Sequence, residues 1–89
     1  MPYIKQSDRK IIDLLLTPLL DQLSISRGMG GADGTVNYVI SRIVRTLYPA
    51  KSYYVLNRGM GILESAKLEY YRRVVAPYEN EKMEENGDI

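Results

Sequence analysis

The sequence predicts an all-α protein of three main helices, kinked in the first at Pro18 and in the third at Pro77. Three observations carry this. Apolar residues recur at three- and four-residue steps in three separate segments. Proline and glycine punctuate the stretches between them, and no segment alternates with period two. With 89 residues the chain is expected to form a single small domain, divided into a helical part over 1–78 and an acidic helix end or tail over 79–89.

The first helix is expected to open at Ser7, an N-cap residue type, with Asp8 in the first turn where the helix dipole favours a negative charge. Ile11, Ile12, Leu15, Leu16, Leu19, Leu20 and Leu23 give its helical spacing. Pro18 interrupts it, either as a kink or as the first residue of a second short helix capped by Thr17. Residues 27–34, Arg-Gly-Met-Gly-Gly-Ala-Asp-Gly, must form a loop.

The second helix follows, capped by Asp33 or Thr35, with Val36, Val39, Ile40, Ile43, Val44 and Leu47 on one face and Pro49 at its end. These residues are β-branched enough to make a strand the competing reading, but their spacing fits 3.6 better than 2. The third helix is capped by Ser52 and runs to about Glu85. Gly59 and Gly61 lie inside it, marking either a break or a close helix crossing. Ile11, Leu15, Leu19, Val39, Ile43, Leu47, Leu63, Tyr70 and Val74 are the expected core.

A chain of this size buries only ~60–65% of the surface its unfolded form exposes. The first helix is apolar around more than half its circumference, more than two neighbouring helices can cover. A homo-oligomer is therefore expected.

Composition excludes several chemistries. With no Cys and no His, disulfides, thiolate zinc sites and Cys- or His-based catalysis are absent. All 8 aromatic residues are Tyr. No spacing of carboxylates suggests a metal cage or an acid/base pair, so no enzyme, no metal and no cofactor is expected. The N-terminus carries no signal-like apolar run, and the stretch Ile11 to Leu23 is too short and too interrupted to span a bilayer. A cytoplasmic protein without a membrane partner is expected.

Charge is uneven along the chain. Residues 1–41 hold four basic and four acidic side chains, 42–78 hold seven and two, and 79–89 hold one and five, which together give the net +1. The glycine loop fits neither the dinucleotide fingerprint, which needs glycine where Asp33 stands, nor the P-loop, and reads as a connector. The basic segment is the better candidate for an anionic ligand. Its members are Arg42 and Arg45, on one side of the second helix, and Tyr71, Arg72 and Arg73 on the third. Arginine forks onto phosphate, and tyrosine stacks on bases. Arg72 and Arg73 diverge by ~100° around their helix, so one of the two is expected to take part. The competing reading pairs Glu69 with Arg72 or Arg73 along the helix surface, beside surface pairs Glu64–Lys67 and Glu79–Lys82.

The opening Met-Pro-Tyr-Ile-Lys-Gln at 1–6, the block Val36-Asn37-Tyr38-Val39-Ile40-Ser41-Arg42, the run from Leu63 to Glu79 and the ending Glu85-Asn86-Gly87-Asp88 resemble a family of small uncharacterised helical proteins. That family is encoded by phages, prophages and their bacterial hosts. The resemblance spans nearly the whole chain, departs at the glycine loop, and implies a phage-type origin, with the host cytoplasm as location and no residue role to carry over. The expected function is a non-enzymatic binding protein that sequesters or blocks a host component, either a nucleotide signal or a defence protein. A nucleic-acid-binding accessory protein using residues 42–73 is the alternative, disfavoured by the acidic tail and the small net charge. A structural or assembly helper is another.

Overall fold

A computed structural model of the chain describes residues 3–28 and 31–89. All its regular structure is helical, with no strand among the described residues. The elements are α1 (Gln6–Gly28), α2 (Asp33–Leu47), α3 (Tyr53–Tyr70), a π turn (Tyr71–Val75) and α4 (Ala76–Asn86). The chain divides into two compact units, Met1–Pro49 with α1 and α2, and Ala50–Ile89 with α3, the π turn and α4.

In the first unit α1 begins at Gln6, so Ser7 lies within the first turn instead of capping it. The chain before α1 is held differently. The Arg9 guanidinium reaches back and donates through Nε and Nη2 to the Ile4 carbonyl at 3.0 and 2.9 Å. The helix then runs without interruption through Pro18. Thr17 does not start a new helix: its hydroxyl donates to the Asp13 carbonyl at 2.8 Å, the back-bond of a residue inside a helix. Ser24 does the same to Leu20.

Of the loop expected at 27–34, Met29 and Gly30 lie outside the described residues, while Arg27 and Gly28 form the end of α1 and Asp33 and Gly34 the start of α2, so the connection is shorter than the glycine content implied. Gly31 adopts φ 122°, a conformation that glycine alone takes without strain, and its N–H donates to the Arg27 carbonyl at 3.2 Å. The N-cap of α2 is Ala32, with no side-chain cap, so neither Asp33 nor Thr35 plays that part. Asp33 instead occupies the first helical position, where its charge meets the positive end of the dipole.

Ser52 does cap α3, its hydroxyl oxygen accepting from the Val55 N–H at 3.3 Å. Gly59 and Gly61 leave the helix unbroken, and a Cβ at Gly61 would meet only open space. Nothing there marks Gly61 as a close crossing. The third expected helix is realised as α3, the π turn and α4 in direct succession, and the helix continues through the acidic segment to Asn86. The π turn has a local cause. Pro77 stands in the first turn of α4, lacks an N–H and crowds the carbonyl four residues back. Widening the turn relieves that crowding, and the Ala76 N–H bonds five residues back to the Tyr71 carbonyl.

The expected core needs correction. Leu19 and Val39 are half-buried, but Ile11, Leu15, Ile43, Leu47, Leu63, Tyr70 and Val74 stay between 37% and 72% exposed. Ala32 is the buried apolar residue among those described. The reason is geometric. Two helices share one seam, here the half-buried Leu19, Leu23 and Ser26 of α1 with Val39 and Val44 of α2. In the second unit one helical succession has no further element of its own unit to pack on.

Candidate functional site

The α2 side chains Tyr38, Arg42 and Arg45 stand at i, i+4 and i+7 and so share one helix side. Arg42 Nη1 donates to the Tyr38 hydroxyl at 2.9 Å, and its guanidinium carbon lies 5.8 Å from the Tyr38 ring centroid. The tyrosine thus holds the arginine by its oxygen and by its ring. Tyr38, Arg42, Arg45 and Thr46 line an open groove of about 440 Å³. Tyr38, Arg42 and Thr46 also border an adjoining groove of about 470 Å³ whose floor is Leu19, Val39, Ile43 and Leu47. Among the described residues, neither Arg42 nor Arg45 forms an ion pair. Arg45 sits in the last turn of α2, where the helix dipole favours a cation.

The second unit treats its arginines differently. Arg72 Nη2 lies 2.9 Å from both Glu69 carboxylate oxygens, and Arg73 Nε lies 4.0 Å from Glu69 Oε1. One half-buried carboxylate therefore serves both guanidinium groups, which is the helix-surface pairing the i,i+3 and i,i+4 spacings allow. Lys67 pairs with Glu64 at 3.2 Å as the spacing predicts. Lys82 does not pair with Glu79; it bonds Glu85 at 3.0 Å and lies 5.5 Å from the Tyr78 ring centroid.

Glu79 is engaged elsewhere. The Tyr71 hydroxyl donates to Glu79 Oε1 at 3.1 Å. In a regular α-helix eight residues carry a side chain ~80° past its starting direction, too far for a direct bond along the helix face. The extra residue of the π turn takes out about 100°, leaving the two side chains within ~20° of one line. Both the hydrogen bond to the Glu79 carboxylate and the negative charge there push the Tyr71 phenol above its ordinary value of 10.0. Tyr71 is half exposed, with its oxygen committed to a carboxylate.

Of the five residues expected to bind an anion, Arg42 and Arg45 share a groove on α2, and Arg72 and Arg73 share a carboxylate at the end of α3. Tyr71 is turned to Glu79. The sequence reading missed Tyr38 and Thr46, although Tyr38 stands four residues before Arg42, the one-turn spacing that puts an aromatic ring beneath a guanidinium. Among the described residues no group of three Asp, Glu, His or Cys is placed to hold a metal ion, and no helix is long and apolar enough to cross a membrane.

A family model described as a domain of unknown function (DUF6899) matches residues 1–89, the whole chain, and the chain belongs to that family. No curated protein and no solved structure matches it.

Proposed function

We propose that this DUF6899 chain is a non-enzymatic binding protein that sequesters or blocks an anionic host component, with the α2 groove as its ligand face. The supporting observation is the pairing of two arginines that have no carboxylate partner among the described residues with an apolar floor one side chain away. A ligand with a phosphate and a flat apolar part suits both. Arg45 and Arg42 fork the phosphate, Tyr38 offers a ring, and Leu19, Val39 and Ile43 accept the base. A nucleotide is the simplest molecule of that description. The phage-type origin that the sequence resemblance implies is consistent with a protein that removes such a signal in a host cytoplasm.

Arg72 and Arg73, bound to Glu69, are left outside this ligand face. Their pairing also reduces the positive surface available to nucleic acid in the segment 42–73, which argues for a small ligand over a polyanion.

The test is isothermal titration with a panel of mono-, di- and cyclic nucleotides, together with mass spectrometry of the gently purified protein. Saturable binding that weakens about tenfold in Arg45→Lys supports the reading, since lysine keeps the charge and loses the fork. Absence of binding across the panel, with no co-purifying nucleotide, rejects it.

A further inference from the structure

The α1 helix carries two apolar stripes, and α2 covers one of them. On a helical projection at ~100° per residue, Ile12, Leu16, Leu19, Leu23 and Ser26 fall within ~80° of one another. This is the seam side: Leu19, Leu23 and Ser26 are half-buried, and Ile12 and Leu16 are the less exposed of the other aliphatics, at 46% and 38%. Ile11, Leu14, Leu15, Pro18 and Ile25 form a second stripe centred about 120° away. Its aliphatic members are 58–76% exposed. Ile11, Pro18 and Ile25 are spaced by seven, with Leu14 three residues after the first and Asp21 three residues after the second, so the apolar repeat is densest over residues 11–18.

We propose that this second stripe is the contact between two copies of the chain, with α1 of one copy packed antiparallel on α1 of the other about a two-fold axis near residues 15 and 16. The aliphatics of the stripe are each more than half exposed and supply the apolar centre of such an interface, the flanking polar side chains of α1 making up the rest of the ~800 Å² that each partner of a stable pair contributes. A two-fold contact lets this one stripe serve both sides, because the same patch meets itself.

Charge sets the direction. Lys10 and Asp21 border the stripe on the same flank, ~20° apart on the projection. Antiparallel packing about that axis brings each Lys10 alongside the partner subunit's Asp21, whereas parallel packing about a two-fold carries the two copies' flanks to opposite sides of the seam and leaves the two charges without each other.

The experiment is light scattering on the full chain across a concentration series, with far-UV circular dichroism on every variant. The wild type is expected at twice 10.2 kDa, and Leu14→Glu is expected to raise the dissociation concentration on the order of 100-fold by placing a charge in the seam. Because a chain that needs its partner can unfold when separated, the charge pair supplies the second arm. Lys10→Glu weakens the dimer about tenfold, and Lys10→Glu with Asp21→Lys returns it to within about threefold of wild type. A wild-type mass of 10.2 kDa at micromolar concentration overturns the proposal and leaves the stripe to another partner. A dimer indifferent to Leu14→Glu overturns the assignment of the stripe. Failure of the double variant to recover overturns the antiparallel direction.

Discussion

Arg42 and Arg45 on α2 and Arg72 and Arg73 after α3 look alike as sequence, each pair close to a tyrosine in a basic segment. Their surroundings are opposite. On α2 the Tyr38 hydroxyl accepts from Arg42, and no carboxylate pairs with either cation among the described residues. In the second unit the Tyr71 hydroxyl donates to Glu79, and Glu69 draws in both arginines. The same residue types line an open groove without ion pairs among the described residues in one unit and share a carboxylate in the other. What separates them is a single glutamate one helical turn upstream. Surface arginines therefore indicate a ligand face only after their own helix neighbours have been counted.

The largest expected effect bears directly on that difference. Arg45→Ala should lower the affinity for a bound nucleotide by roughly 10- to 100-fold, because a charge-assisted fork is worth about 1.5–3 kcal/mol. Arg72→Ala should change it less than about twofold. Comparable losses at both positions, measured by titration calorimetry on folded variants, would erase the distinction between the pairs.

Pro77→Ala comes next. Restoring the missing N–H and removing the ring should stabilise the second unit by about 1 kcal/mol and let the π turn relax toward regular α-helix. Tyr71 and Glu79 would then point ~80° apart and lose their bond, while Glu69 would keep both arginines, since its i,i+3 and i,i+4 spacings lie almost wholly upstream of the change. The π turn is thus the condition for the tyrosine contact but not for the arginine contacts. A crystal structure of the variant that retains the Tyr71–Glu79 bond would break this assignment.

Glu69→Ala should cost only about 0.3–0.5 kcal/mol in thermal stability, the usual worth of an exposed helix pair. Its main consequence is electrostatic. With the shared carboxylate gone, the second unit should resemble α2 and hold more strongly to heparin, eluting at higher salt. Unchanged elution would mean that Glu69 does not govern the availability of these arginines.

The helical class was legible because periodicity survives whatever a helix packs against: the spacings around Leu19 and Val39 are there in the sequence regardless of what covers them. The pairing of Glu69 with the arginines was legible for the same reason, as a local spacing. The core was not. A repeat of apolar residues says that Ile11 and Leu15 face one way, but not that α2 lies on a different side of α1, and both remain open in the first unit. Caps were misread at Ser7 and Asp33 because a residue type suited to capping is suited to the first helical turn as well. The bond from Tyr71 to Glu79 could not be read from a constant 100° per residue. It depends on one extra residue in the turn, and the signal for that is Pro77, six residues after Tyr71.

The smallest expected effect tests that bond by its pH dependence. Tyr71 donates its proton's hydrogen bond to a carboxylate, so the neutral phenol is favoured in the folded chain and its pKa lies above 10.0. A group whose folded pKa is raised adds stability that is fully present below the unfolded value, here about 10, and lost as pH climbs through the raised one. Wild type should therefore exceed Tyr71→Phe in melting temperature by a small constant margin from neutral pH to about pH 9, and the margin should vanish in more alkaline solution. At that end the phenolate and the Glu79 carboxylate repel each other. Glu79→Gln should separate the two causes of the shift, since the amide oxygen still accepts the hydrogen bond while the charge is removed. The Tyr71 phenol of Glu79→Gln, followed by ultraviolet absorbance in an alkaline titration against the Tyr71→Phe background, should ionise at a lower pH than in wild type. A wild-type margin that persists undiminished through pH 12 would show that the hydroxyl's contribution does not depend on its proton, which a hydrogen bond donated to Glu79 requires.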